Sequence, residues 1–425
     1  MKQTYSLCVV AFLFLISTSI SAQHKHNQRY HSINGNYYKT FYQANSLSYD
    51  LFDDYEYDNR FGSYRFLPTA QSIRYNRVDG LFVGLGSDFT NQHSEILHIG
   101  GVEFDGFIGY STGQKDWQYR AAASKRFGQW LMFGGILTNS STTDDHWRTG
   151  LSENSITSLV AGYDYHDYYK AEGYGVFTEL ELGRFISIGA SYNYTTYSTL
   201  QTNTEYSFFG DGNITRINPT IDATTDIATQ ESIGLKLLLN KKGYTRGIIT
   251  NKLLVQAELS DAAFNNDFNY NKFEITSLNY IKLDQHTLFK MRLMAGSITG
   301  EAPDFKNFAL GGIGSLRATG YKFYRGNRML MSNAEVIFGD LWDYDDGELE
   351  LDGLYLTLFL DSGWSDFVSS NSNDPFSGFE SFGFNTLTHN IGAGIGTGFV
   401  RLEIATPLSG SEGFTSLWVR LNPTF

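Results

Sequence analysis

Most of this chain alternates between apolar and polar residues with a period of two. Val255, Ala257 and Leu259 are apolar, with Gln256, Glu258 and Ser260 between them. Phe289, Met291, Leu293 and Ala295 alternate with Lys290, Arg292 and Met294. Leu354, Leu356, Leu358 and Leu360 stand against Tyr355, Thr357, Phe359 and Asp361, and Val400, Leu402 and Ile404 against Arg401, Glu403 and Ala405. Successive strand residues point to opposite faces, so each segment presents one apolar and one polar face. A soluble sandwich alternates too, but on shorter strands whose outer face is polar. Repeated segments of about ten residues with charge on one face fit strands that cross a bilayer around a wet lumen.

Roughly sixteen such segments lie between Ser72 and Thr424, an even number as bacterial barrels require. Long polar stretches interrupt them near Asn139–Asn154, Gln201–Gln230, Thr299–Arg328 and Asp366–Thr388. Short turns alternate with these, as at Lys241–Gly243 and Asp284-Gln285. Long loops are expected outside the cell and short turns in the periplasm. The predicted fold is therefore all-β, a transmembrane antiparallel barrel of about sixteen strands over residues 72–425. No run of 18 apolar residues predicts a membrane-crossing helix.

Composition supports this reading. Aromatic residues make up 16% of the chain, with 43 Gly and only 6 Pro. Aromatic side chains suit both membrane interfaces, and glycine relieves crowding in tilted strands. Lys2 followed by the apolar run Leu7–Ile16, with Ser-Ile-Ser-Ala ending at Ala22, predicts a signal peptide over residues 1–22. Cys8 is the only cysteine and would leave with it, so the mature chain is expected to hold no disulfide and no thiolate metal site. Without Lys2 the mature chain carries 31 basic and 45 acidic residues, which argues against a nucleic-acid partner. Residues 23–71 are rich in Tyr, Asn and Asp without a clear period, and fit a leader, a lumen plug or an extra hairpin.

The chain ends with Leu417, Val419, Leu421, Pro423 and Phe425 on one parity. Trp418, Leu421 and Phe425 are read as a terminal signal for the cell's barrel-assembly machine. Outer-membrane lipid is then the surrounding partner.

Residues 310–338 read LGGIGSLRATGYKFYRGNRMLMSNAEVIF. Leu310-Gly311-Gly312, Leu316-Arg317, Gly326-Asn327 and Glu335, with Phe359, Asp361 and Gly363 on the following strand, resemble the motifs of the BamA/TamA superfamily, the bacterial surface antigen family. The stretch Ile73–Gly80 resembles the first strand of Bacteroidetes barrels of this kind. The resemblance implies a loop folded back into the lumen, with Arg317 meeting Asp361 and Glu335. It also implies work on client proteins at the outer membrane, either insertion or translocation. A passive solute channel or structural barrel is the alternative. Ala318-Thr319 stand where the family has Gly-Tyr, and residues 23–71 are too few for a POTRA domain, so none is expected. Parity alone already points Asp361 and Glu335 inward, and a guanidinium suits the pinning of a loop because it makes two directed bonds.

Enzyme chemistry finds little support. There is no Gly-x-Ser-x-Gly, no His-Glu-x-x-His and no phosphate-binding glycine loop. The acidic stretch Asp343–Asp352 lacks EF-hand spacing and reads as a solvated turn. His24 and His26 read as tail histidines, and Asp144, Asp145 and His146 as polar loop surface. No catalytic residue, metal or cofactor is expected.

Overall fold

The alternating segments are strands in the computed structural model. It describes residues 73–421 apart from 92–101, 129, 184, 211–216, 222–225, 240–248, 261–263, 265, 342–350, 369–373, 398–399 and 409–411. The signal peptide, the segment up to residue 72, the turn at Lys241–Gly243, most of the acidic stretch after Asp343, and Phe425 lie outside the described residues.

The first strands are β1 (Ile73–Asn76), β2 (Gly80–Asn91), β3 (Val102–Ser111), β4 (Asp116–Phe127) and β5 (Leu131–Thr142). An α-helix, α1 (Leu151–Ala161), lies in the connection to β6 (Tyr169–Leu182). β7 (Ile186–Thr199), β8 (Ile227–Leu239), β9 (Ile249–Ser260), β10 (Asn269–Lys282) and β11 (Thr287–Glu301) follow. Two three-residue strands, β12 (Phe308–Leu310) and β13 (Tyr324–Gly326), pair with each other inside the next loop. The wall resumes with β14 (Arg328–Leu341), β15 (Leu351–Asp366), β16 (Thr388–Gly396), β17 (Val400–Pro407) and β18 (Ser416–Leu421). Apart from β12 and β13, these strands form one 16-stranded sheet in chain order, each antiparallel to the next.

Its side chains are distributed inside out. Arg77, Arg292, Arg317, Arg328, Arg401 and Arg420 are among the largest fully buried side chains. Leu85, Leu137, Leu354, Leu358 and Ile404 are exposed. On β15 the pattern is residue by residue: Leu354, Leu356, Leu358 and Leu360 face out, while Tyr355, Thr357, Phe359 and Asp361 face in. Water would penalise such an outer face, and hydrocarbon does not. The sheet is a transmembrane barrel with a polar interior. No described helix is long and apolar enough to cross a membrane.

Connections alternate between the two ends. The described residues of 143–168, 200–226, 302–327 and 367–387 lie at one end, and those of 128–130, 183–185 and 283–286 at the other. The stretch read as a first strand splits in two. β1 stops at Asn76, whose Oδ1 accepts the backbone N–H groups of Val78 (3.0 Å) and Asp79 (2.6 Å). This asparagine turn reverses the chain, and Gly80 at φ +62° starts β2.

Candidate functional site

The loop at residues 302–327 turns back into the lumen. Its β12–β13 pair forms a stem, and Gly311, Gly312 and Gly314 adopt φ of +118°, +84° and +67° at the bend. A side chain at Gly314 would place its Cβ 2.3 Å from the Arg148 carbonyl oxygen, so the close approach of two loops requires glycine there. Leu310 and Leu316 are fully buried against Met294, Ile298, Phe308, Met329 and Met331. Asn327 fixes the base, with Oδ1 accepting Val368 N–H and Nδ2 donating to Val368 O, both at 2.8 Å.

The tip carries Arg317. Its Nε donates to Asp361 Oδ2 at 2.8 Å and its Nη2 to Asp361 Oδ1 at 2.7 Å, a two-pronged pair. Nη1 reaches Glu335 Oε1 at 2.9 Å and Glu403 Oε1 at 3.2 Å. The guanidinium carbon lies 3.4 Å from the centre of the Phe359 ring, a stacked cation–π arrangement. Arg401 joins the cluster by donating to Glu335 Oε2 at 3.0 Å, and it also pairs with Glu403. Asn333 Nδ2 donates to Asp361 Oδ1 (2.7 Å) and to the Ser315 carbonyl (2.9 Å). The Arg317 carbonyl accepts from Ser416 Oγ (2.6 Å) and Trp418 Nε1 (2.9 Å), and Ala318 N–H donates to Asn390 Oδ1 (3.0 Å). One loop tip thus grips five consecutive strands, β14 to β18.

The three carboxylates pair with two guanidiniums out of water, so that each charge has at least one opposite charge beside it. Removing one partner would leave charge buried and uncompensated. The bonds that Ser315, Arg317 and Ala318 make here join the loop tip to the wall, so the cluster acts as a clamp; Arg401 Nε, Glu403 Oε2 and Asn390 Nδ2 are buried beside it without a hydrogen-bond partner. Among the described residues no group of three His, Cys, Asp or Glu side chains is placed to hold a metal ion.

The structure brings together Arg317, Asp361 and Glu335, as parity and the resemblance anticipate. It also gives each family-motif residue a physical task. Phe359, Asp361 and Gly363 share one face of β15: the first stacks on the guanidinium and the second binds it. A Cβ at Gly363 would meet Leu310 Cδ1 at 3.0 Å and Leu316 Cδ2 at 3.2 Å, so its bareness seats the loop. Gly326 lets the backbone pass Asp366, whose carbonyl oxygen would be 2.2 Å from an added Cβ. Ala318 is not among the non-glycine residues with positive φ, so the missing tip glycine is not required; its methyl packs with Phe359 and Ala405. Leu421 ends the described part of β18. Glu403, Arg401 and Asn390 were not singled out from the sequence, although the alternation of β17 already put Arg401 and Glu403 on the inner face.

The reading of Asp145 and His146 as loop surface is corrected: both are buried. Their loop folds inward and locks onto the Arg317 loop. Lys322 Nζ binds Asp145 (2.7 Å) and Asp167 (2.6 Å), and Arg148 donates to the Gly311 carbonyl at 3.3 Å. Burial alone would raise the Asp145 pKa, but Lys322 and Arg148 outweigh it and hold the carboxyl below its usual range. Asp144 is half-buried and accepts the Tyr169 hydroxyl at 2.7 Å. Polar composition cannot distinguish solvent from a loop–loop interface, so nothing in the residues of this loop marks its burial. Helix α1, in the same loop, was missed for the same reason: its buried residues are Glu153, Asn154, Ser155 and Ser158, with no apolar stripe to reveal it.

Residues 49–312, more than half of the chain, match the family described as "Family of unknown function (DUF5686) C-terminal domain". No curated protein matches the sequence. Among solved structures, BamA from Haemophilus ducreyi lacking POTRA domains 1–3 is similar with a TM-score of 0.51 at 12% identity, over 82% of this chain and 69% of that one. CdiB from Acinetobacter baumannii is similar at 0.43 and 9% identity, over 80% of this chain and 56% of that one. CdiB from Escherichia coli gives 0.43 and 12%, over 82% and 60%. This chain therefore spans less than two thirds of either CdiB chain. The first likeness shows the barrel fold.

Proposed function

The chain belongs to the DUF5686 C-terminal-domain family, and we propose that it is an outer-membrane barrel of the BamA/TamA type, acting in the insertion or translocation of proteins without covalent catalysis. The observation that carries this reading is the lumenal clamp, in which Arg317 binds Asp361, Glu335 and Glu403 at once. In a barrel built only to pass solutes such a loop would serve as a plug, which does not call for a grip on five strands. A barrel that must keep its wall in shape while one edge opens does gain from that grip, because the clamp fixes β14 to β18 as a unit. The open edge would offer unpaired backbone groups to an extended client segment, which adds as a strand. The apolar outer face supports residence in a bilayer, and the likeness of the fold to BamA supports the outer membrane, reached through the cell's barrel-assembly machine.

Depletion of the chain in its host, followed by quantitative comparison of the outer membrane and the secreted fraction, tests the reading. Loss of a defined set of outer-membrane or secreted proteins is the expected outcome, and those proteins or a lipoprotein should co-purify with the barrel. An unchanged proteome, together with steady ion conductance by the purified chain in planar bilayers, would overturn it in favour of a passive channel.

A further inference from the structure

The two ends of the sheet meet at helix α1. On β1, the backbone N–H of Tyr75 donates to Ser155 Oγ at 3.2 Å. On β18, the backbone N–H of Leu421 donates to Glu153 Oε1 at 2.9 Å. Both N–H groups belong to the outer edges of the sheet. Tyr75 pairs with Leu81, whose carbonyl is turned to Thr112 on the β3 side. Leu421 pairs with Val400, whose carbonyl is turned to Thr397 on the β16 side. In antiparallel pairing such a residue and its partner turn their backbone groups away from each other. Tyr75 and Leu421 therefore point their N–H groups to where the first and last strands would pair, and side chains two residues apart on one helix take both.

The Glu153 carboxylate also receives Arg420 from β18, Nε at 2.9 Å and Nη2 at 3.3 Å. The pair is nearly sealed from water, with 4% and 2% side-chain exposure. Beyond the helix, the Arg77 backbone N–H donates to Asp164 Oδ2 at 2.9 Å, and the Tyr165 ring lies 6.1 Å from that of Trp418. The segment 151–165 thus touches both β1 with its turn and β18.

We propose that α1 is a removable bolt across the seam between β1 and β18. Glu153 and Ser155 stand in for strand-to-strand hydrogen bonds and cap both edges. Among the described residues β1 and β18 stand at opposite ends of the strand order, so withdrawal of a single loop would bare both of these edges. The bolt also explains how exposed edges are kept from pairing with the wrong chain at rest. This inference rests on the functional reading only for its purpose, because the bolt itself is a statement about the seam.

Hydrogen exchange read by mass spectrometry on the full chain in lipid tests it without any client. In the unaltered protein, peptides from α1, β1 and β18 should lose protection together, while β6 to β11 stay protected. In Glu153→Gln and Ser155→Ala, exchange in β1 and β18 should quicken by about tenfold, the order that loss of one side-chain hydrogen bond gives. Heat-modifiable gel mobility should remain that of a folded barrel. Independent exchange of α1 and the two strands in the unaltered protein, or unchanged β1 and β18 rates in folded variants, would overturn the proposal. A loosened seam with no client affected by depletion would leave the bolt standing and remove the functional reading instead.

Discussion

Arg317 lies flat on the ring of Phe359, with its guanidinium carbon 3.4 Å from the ring centre, while its nitrogens bind Asp361 two residues further along the same strand. One face of β15 thus supplies both a platform and a counter-charge. The same guanidinium meets Glu335 and Glu403, so it belongs to a network rather than to a single pair.

Arg317→Ala should therefore release the loop at residues 302–327, at a cost of about 3–5 kcal/mol, because three inward carboxylates lose a shared cation. Exchanging Arg317 and Asp361 should not restore protection, since Glu335 and Glu403 would then face a new carboxylate. Adding Glu335→Gln to Arg317→Ala should recover part of the loss. Protease sensitivity of the loop in intact cells is the measurement; unaltered protection in Arg317→Ala would refute the clamp.

Gly363→Val should unseat the same loop without touching any charge. The new side chain would start within 3.0–3.2 Å of Leu310 and Leu316. Overpacking of this kind costs about 1–3 kcal/mol. The expected result is greater loop cleavage with normal barrel mobility on gels, and equal cleavage in parent and variant would count against the packing.

The loop at residues 143–168 should loosen in acid. His146 and His166 meet edge to face at 5.1 Å. Burial first, and then His166 and Arg74, hold His146 well below an ordinary imidazole, against an upward pull from Asp145. Burial likewise lowers His166 and Lys322 adds to it, while Asp145, Asp164 and a hydrogen bond to Thr149 pull upward. Both rings are harder to protonate when docked, and a released loop would take up protons near the ordinary value of 6.5. Docking is then fully favourable above about pH 6.5 and weakens below it, by at most about 1.4 kcal/mol per pH unit for each ring. Hydrogen exchange of this loop at pH 7.5 and 5.5 checks the sign, and His146→Phe should flatten the dependence. Stronger protection at the lower pH would contradict it.

Deleting Phe425 should lower folded yield more than deleting a residue of an exposed loop. The motivation is the apolar parity of the last strand, on which Leu417 and Val419 face outward. Heat-modifiable mobility after expression reports the folded fraction, and equal yields would remove the terminal residue from the assembly signal.

The wall was legible in the sequence because lipid and lumen demand opposite residues at alternate positions. Leu354 to Asp361 and Val400 to Ala405 follow that alternation, with Phe359 and Ala405 the apolar residues on the inner face. The Arg317 clamp was half legible, since parity placed Asp361 and Glu335 inside, but only a fold can bring in Glu403 from 86 residues away. The inward loops were the opaque part. Asp145, His146 and Glu153 are buried by other polar groups, and no period or composition marks a polar segment that folds onto another.

The reach of the Arg317 tip sets an order of assembly. Its partners on β14 to β18 all follow it in the chain, so the C-terminal third can knit together by short loop closures as soon as it exists. Glu153 and Arg420, by contrast, are 267 residues apart, and their meeting closes one of the longest loops in the molecule. The last third should thus mature as a unit before its ends are joined to the beginning. In a refolding time course by pulse proteolysis, the loop at residues 302–327 should become protected ahead of α1.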